Sequence, residues 1–153
     1  MSDDQPLEPK RSGPVGKVTS RPGQVSTPDP GLADPKKSRV EVKAMQNLDN
    51  TLKALRSSLD KGKQFVAMGR PRFDDDWMVQ DAAITTVTQI AEAAKRLPRT
   101  FRDARPEVPW RNVIGMRDIV IHEYSIVDPS LVWEALEQRF PEIEESVFRD
   151  ETA

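Results

Sequence analysis

The residues best suited to chemistry in this chain are an arginine, a histidine and a tyrosine at close spacing. Arg117 is followed five residues later by His122, the only histidine, and then by Tyr124, the only tyrosine. Histidine exchanges protons near neutral pH, and the planar guanidinium group of arginine fits the oxygens of a phosphate. Arg117 also interrupts an apolar run, where a charge is costly unless it has a partner or faces water. We therefore predict that Arg117 and His122 are functional. The pair taken alone also fits a histidine that stabilises the C-terminal end of a helix.

A helix that begins at Pro109 is predicted to carry these residues, with His122 and Tyr124 at its end or just past it. A separation of five residues is a rotation of about 140° and a rise of about 7.5 Å, so one helix does not stack Arg117 on His122. Two copies of the helix that meet across a two-fold axis would bring two arginines and two histidines into one cleft. Gly115, in mid-helix, suggests a close contact with another backbone.

Three further long helices are predicted from caps and apolar spacing. A capping box at Ser38 and Glu41 starts the first helix. The cluster Phe73-Asp-Asp-Asp76 caps the second helix, which ends near Arg96. Asp128 caps the third helix, and Pro141 breaks it. A short helix over residues 142–148 follows. The predicted buried positions are Val42, Met45, Leu48, Leu52, Leu55 and Leu59, then Ala83, Val87, Ile90, Ala94 and Leu97, then Val132, Leu136 and Phe140.

Arg99, Arg102 and Arg105 recur at threefold spacing just before the Arg117 helix, which predicts that they share one face of a short helix. Such a cluster is often a solvated face, but it is also the best candidate in the chain for contacts with phosphates. The aspartates 74–76 are interpreted as helix caps and not as a metal site, because adjacent helical residues point in different directions.

Composition indicates one modest domain with a tail. The first 39 residues hold seven of the 13 prolines, four of the seven glycines and no aromatic residue, so we predict a disordered tail over 1–39. Residues 40–153 carry sixteen basic and twenty acidic side chains, a balance that does not suit a protein gripping long nucleic acid through many phosphates. The absence of cysteine, of a long apolar run and of a secretion signal predicts a cytoplasmic protein without a membrane segment.

The motif Arg117-x4-His122-x-Tyr124 resembles the signature of the HepT-like toxins of the HEPN superfamily. The resemblance includes the preceding Val-Pro-Trp-Arg-Asn-Val-Ile-Gly-Met, the following Val127-Asp-Pro-Ser-Leu-Val-Trp-Glu134 and the upstream Ile90-Ala-Glu-Ala-Ala-Lys-Arg-Leu-Pro98, and it covers roughly residues 41–148. It implies an all-α, HEPN-like antiparallel bundle of four to five helices over 40–149, with a frayed C-terminus over 150–153.

The resemblance also implies an activity. HepT-like proteins are metal-independent endoribonuclease toxins that need no cofactor and form homodimers with the active site at the interface. On this basis Arg117 and His122 would be catalytic, and an MntA-type nucleotidyltransferase antitoxin would modify Tyr124 with adenylate. The chain departs from the family pattern at Thr85-Thr86, where many relatives have Arg-Asn, and at Glu123, where relatives often have a small residue. The alternative function is a non-catalytic dimeric helical module that binds a nucleotidyltransferase or a nucleotide.

Overall fold

The computed structural model describes Gly13, residues 34–122 and residues 127–151. These residues form helices and no strand, which confirms the predicted all-α fold. Within them, no helix is both long enough and apolar enough to cross a membrane. Of the tail predicted over 1–39, the residues before Asp34 other than Gly13 lie outside the described residues, and residues 35–39 are helical. Glu123, Tyr124 and residues 152–153 also lie outside the described residues. The helices are α1 (Pro35–Met68), α2 (Arg70–Asp75), α3 (Trp77–Arg96), α4 (Arg99–Asp103), α5 (Trp110–His122), α6 (Pro129–Glu134) and α7 (Phe140–Phe148).

The long helices pack as an antiparallel bundle around one core. At one end of the α1–α3 pair Ala54 and Arg96 line the same groove, and at the other end Met68 and Ala82 do. Lys63 forms an ion pair with Glu144 of α7, and Arg56 forms one with Glu151 just after α7. Helix α1 is therefore antiparallel to α7 as well. Leucine, valine, isoleucine and aromatic side chains from α1, α2, α3, α5, α6 and α7 fill the space between the helices. Burial of this apolar surface is the main contribution to stability.

The N-terminal part of α1 extends past this core. Leu55 and Leu59 are buried as predicted, but Val42 and Met45 are 53% and 67% exposed, so the prediction was wrong for those two residues. The reason is that no other described helix covers the first turns of α1. The capping box was also wrong, because α1 begins at Pro35 and Ser38 lies inside it, where its hydroxyl donates to the Pro35 carbonyl at 3.1 Å.

Helix α3 is capped by Asp76, one of the three predicted caps. The Asp76 side chain accepts hydrogen bonds from the amides of Met78 and Val79, and the helix ends at Arg96, just before Leu97-Pro98, as predicted. Sequence analysis missed α2. This short helix follows Gly69, whose positive φ of 88° turns the chain sharply, and it buries Phe73 against the Trp133 ring at 5.3 Å.

Pro141 lies inside helix α7 and does not break the chain's helical course, which corrects the prediction. Asp128 caps α6 by accepting from the Ser130 amide at 2.8 Å, as predicted, and the chain then passes through a π-helical turn, Ala135–Arg139, into α7. In that turn the Phe140 amide donates to the carbonyl of Ala135, five residues back. The wider turn allows the chain to stay helical through Pro141, which lacks an amide hydrogen.

Candidate active site

Helix α5 positions Arg117 and His122 by burying its opposite face. Trp110, Val113 and Val120 are buried and fix the rotation of the helix against α3. The Trp110 indole donates to the carbonyls of Arg102 and Arg105, at 3.1 and 3.0 Å, and this ties the start of α5 to the preceding segment. The orientation of both candidate residues is therefore set by the core.

Arg117 faces α3, where it has a partner. Its Nε atom forms an ion pair with Oε1 of Glu92, and its Nη1 atom lies 3.9 Å from Oδ1 of the neighbouring Asp118. The Arg117 and Glu92 side chains are only 33% and 30% exposed, so each charge offsets the desolvation of the other. This pair explains how an arginine is tolerated in an apolar run.

Glu92 is a residue that sequence analysis missed as part of the site. The available signal was a carboxylate in the middle of the apolar stretch Ile90-Ala-Glu-Ala-Ala of α3, four residues before Arg96. A charge at that position needs a partner for the same reason as Arg117 does. Pairing the two across α3 and α5 required the tertiary structure.

His122 is exposed at the C-terminal end of α5. Helical spacing places it on the outer stripe of α5 with Gly115, Asp118 and Ile119, whereas Arg117 lies on the side that faces α3. One copy of the chain therefore does not bring Arg117 and His122 together, as their separation of five residues predicted. Tyr124 lies outside the described residues. Residues 34–122 and 127–151 contain no group of three or more acidic or imidazole side chains placed to hold a metal ion.

A groove of about 600 Å³ between α4 and α5 collects two of the three predicted arginines. Arg99 and Arg102 line it together with Arg111, which lies on the same stripe of α5 as His122 and which sequence analysis did not select. Arg99 is paired with Asp103 at 3.5 Å, and the buried Nε atom of Arg102 has no hydrogen-bond partner among the described residues. The groove therefore offers the guanidinium groups of Arg99, Arg102 and Arg111 to an anion, beside the carboxylates of Asp103 and Asp118.

Arg105 does not join that groove. Helix α4 ends at Asp103, so the prediction that all three arginines share one face of a short helix was wrong. The Arg105 guanidinium group stacks 3.8 Å over the Phe101 ring and donates to the carbonyls of Ser146 and Phe101. These contacts fix the segment before α5 against the C-terminal helix, which is a structural role.

Apolar side chains are exposed beside the outer stripe of α5. Ile119 and Leu131 are 50% and 54% exposed and line a groove of about 380 Å³ between α5 and α6. Gly115 lies between this groove and the arginine groove, and a Cβ atom built on it would meet no described atom within 4 Å. The predicted close backbone contact at Gly115 is therefore absent from the described part of a single chain. The outer face of α5 offers an open, partly apolar surface.

Comparison with known proteins identifies the family. The family described as ribonuclease HepT-like matches residues 55–148. A protein named "Putative RNase" from Caldanaerobacter subterraneus is 39% identical over 75 residues, 49% of this chain and 67% of the relative. Another "Putative RNase", from Methanocaldococcus jannaschii, is 34% identical over 86 residues, 54% of this chain and 74% of the relative.

A "Probable ribonuclease HepT" from Thermococcus cleftensis is 37% identical over 68 residues, which are 44% of this chain and 62% of that relative. No solved structure matches the chain. The family match includes Glu92, Arg117 and His122 and covers more than half of the sequence. The chain therefore belongs to the HepT-like ribonuclease family.

Proposed function

We propose that the chain is a metal-independent endoribonuclease, the toxin of a toxin–antitoxin pair, and that it acts as a homodimer. The observation that carries the proposal is the position of Arg117 and His122 on one helix, in a chain of the HepT-like ribonuclease family. The names of the relatives quoted above support RNA as the substrate. The arginine groove beside the outer stripe of α5 supports local contacts with its phosphates.

Cleavage of RNA without a metal ion uses the 2′-hydroxyl of the substrate. A base removes its proton, the 2′-oxygen attacks phosphorus, the bond to the 5′-oxygen breaks, and an acid gives the leaving oxygen a proton. The products are a 2′,3′-cyclic phosphate and a 5′-hydroxyl. His122 of one copy is the base and His122 of the other copy is the acid, because a single imidazole cannot do both in one step.

Arg117 stabilises the negative charge that gathers on the phosphate during attack. The ion pairs with Glu92 and Asp118 use Nε and Nη1, so neither occupies Nη2. Glu92 holds the guanidinium group in one orientation, and Nη2 donates to a phosphate oxygen of the substrate. A fixed donor costs less to organise at the moment of reaction than a mobile one.

The outer face of α5 is the surface on which we place the second copy. Ile119 and Leu131 supply exposed apolar area there, and Gly115 permits close approach of another helix. His122 lies on the same stripe, so a two-fold axis near Gly115 and Ile119 brings the two imidazoles towards each other. The site is incomplete without this partner, because each chain has one histidine.

Tyr124 is proposed as the point of control. It lies two residues after His122 in sequence, and a partner nucleotidyltransferase antitoxin would transfer adenylate from ATP to its hydroxyl, with release of pyrophosphate. The added nucleotide brings bulk and a negatively charged phosphate next to the imidazole and repels the phosphate of an incoming RNA. The proposal rests on the resemblance of the motif and on its position after the exposed end of α5.

A second function is favoured by one observation, namely that Arg117 already has a carboxylate partner in Glu92. An arginine held in this way can be purely structural, and the chain would then be a non-catalytic dimeric module that binds a nucleotidyltransferase or a nucleotide. Growth arrest on expression without an antitoxin distinguishes the two functions, because binding alone does not destroy RNA.

Cleavage of a mixed RNA pool by the purified protein, with EDTA present, tests the ribonuclease proposal. We expect His122→Ala to lower the rate by about 10²- to 10⁴-fold, the usual contribution of a general acid or base. Arg117→Lys should also lower the rate, because it keeps the charge that pairs with Glu92 but loses the planar fork of donors.

Lys37→Ala, which removes one exposed charge from α1, is the matched control and should cleave like the wild type. Circular dichroism and sedimentation establish that each variant is a folded dimer. Equal cleavage by all four proteins, or no cleavage by the unmodified wild type, would exclude the catalytic assignment and favour the binding module.

A further inference from the structure

One side of α1 carries polar and basic side chains with no carboxylate among them. Its members follow each other at spacings of three and four residues, and all of them are exposed. We call this side the α1 polar stripe, and it consists of Arg39, Lys43, Asn47, Asn50, Ala54, Ser57, Lys61 and Gln64. At 1.5 Å per residue it is about 37 Å long. The stripe is therefore longer than either of the small grooves beside α5.

The second half of the stripe forms one wall of a groove. Ser57 and Lys61 of α1 face Gln89, Glu92 and Arg96 of α3 across a volume of about 400 Å³, which we call the α1–α3 groove. The groove continues towards the end of α1, where Lys61 and Gln89 are joined by Gln64 and Thr85. Over both parts the lining includes seven neutral hydrogen-bonding side chains, two positive charges, the Glu92 carboxylate and five apolar side chains, among them Phe65 and Met68.

The charges along this surface favour an anion. Arg39, Lys43, Lys61 and Arg96 form no ion pair among the residues that the structure describes, whereas most other arginines of the bundle do. The carboxylate that lines the α1–α3 groove, Glu92, is offset by its ion pair with Arg117. The same ion pair connects the groove to the candidate catalytic arginine.

We infer that the α1 polar stripe and the α1–α3 groove bind the sugar–phosphate backbone of single-stranded RNA and lead it to Arg117. This inference rests on the proposed ribonuclease function. Lysine and arginine neutralise phosphates, and asparagine, serine and glutamine donate to phosphate and ribose oxygens. The stripe contains no large apolar side chain, which disfavours both a lipid surface and a packed protein helix as its occupant.

The N-terminal half of the α1 polar stripe precedes the residues that match the family. The match begins at Leu55, so Arg39, Lys43, Asn47 and Asn50 lie before it. Arg39 and Lys43 supply the positive charge of this half of the stripe.

Binding of an RNA that cannot be cleaved tests the inference separately from catalysis. We would measure the affinity of the wild-type protein for a 20-nucleotide RNA methylated at every 2′-oxygen, by fluorescence anisotropy at several salt concentrations. The test variant is Arg39→Gln/Lys43→Gln. The control, Lys37→Gln/Lys95→Gln, removes the same number of charges from positions outside the stripe and the groove.

Each phosphate contact contributes about 0.7 to the slope of log affinity against log salt for a single strand. We therefore expect the test variant to lower the slope by about 1.4 and the affinity by about 25-fold at 0.1 M salt, with little change in the control.

Equal weakening in the test and control variants would overturn the inference, and so would binding of anionic vesicles in preference to RNA. A change of oligomeric state in the test variant would also overturn it, because the stripe would then be a contact between copies. Failure of the wild type to cleave any RNA, with the predicted loss of binding in the test variant, would instead refute only the ribonuclease proposal.

Discussion

Replacing Ile119 with alanine should weaken the proposed homodimer without unfolding the chain. Ile119 is 50% exposed in the single chain. Full burial of an isoleucine side chain contributes about 1.5–3 kcal/mol, so covering its exposed half contributes about 1 kcal/mol in each copy. A two-fold axis buries the residue twice. The dimer should therefore lose about 2 kcal/mol, which corresponds to a dissociation constant about 30-fold higher.

Sedimentation equilibrium measures this dissociation constant, and ribonuclease activity per chain measures its consequence. Because the proposed mechanism uses one histidine from each copy, the activity of Ile119→Ala should fall on dilution at concentrations where the wild type keeps its activity. Met78→Ala is the matched control, since Met78 is 60% exposed on α3 and lines neither groove beside α5. The reasoning is refuted if Ile119→Ala associates like the wild type, or if its activity per chain does not depend on concentration.

Three further predictions concern stability. Asp76→Ala should lower the free energy of unfolding by about 1 kcal/mol through loss of the α3 cap, whereas Asp75→Ala, which caps nothing, should not; urea denaturation of both variants tests this. Leu55→Ala should cost about 2–5 kcal/mol in the same assay, because Leu55 is fully buried, and a loss under 1 kcal/mol would mean that the core is not packed as described. The hydrogen bond from the Ser146 hydroxyl lowers the pKa of Glu107 below its usual value of 4.5. The stabilising effect of this hydrogen bond is therefore present above pH 4.5 and is lost as the pH falls through the lowered pKa. NMR titration should show a higher Glu107 pKa in Ser146→Ala, and an unchanged pKa would contradict the hydrogen bond.

Helix α5 shows how far spacing alone reaches. The five-residue separation predicted that one helix does not stack Arg117 on His122, and the two residues lie on different sides of α5. Spacing did not predict the direction in which Arg117 points, because that depends on which helix packs beside α5. The partner Glu92 lies 25 residues earlier in sequence, on α3. No local pattern joins the two residues.

Two errors of prediction have different physical origins. Val42 and Met45 continue the apolar spacing of Leu55 and Leu59, but burial depends on whether a neighbouring helix covers those turns of α1, and none of the described helices does. A proline normally ends a helix, but the π-helical turn before Pro141 accommodates its missing amide hydrogen. Packing decided the first outcome, and local helix geometry decided the second.

The sequence by itself determined the class of fold, a cap within residues 74–76 for α3, the cap at Asp128, the buried faces of α3 and α6, and the motif of Arg117 and His122. These features depend on residues that are neighbours along the chain, so helical periodicity and capping chemistry are sufficient to predict them. The tertiary structure alone decided the pairing of Arg117 with Glu92, the separation of Arg105 from Arg99 and Arg102, and the open outer face of α5. Each of these results from contacts, or a lack of contacts, between helices that are distant in sequence, and such contacts follow from how the whole core packs.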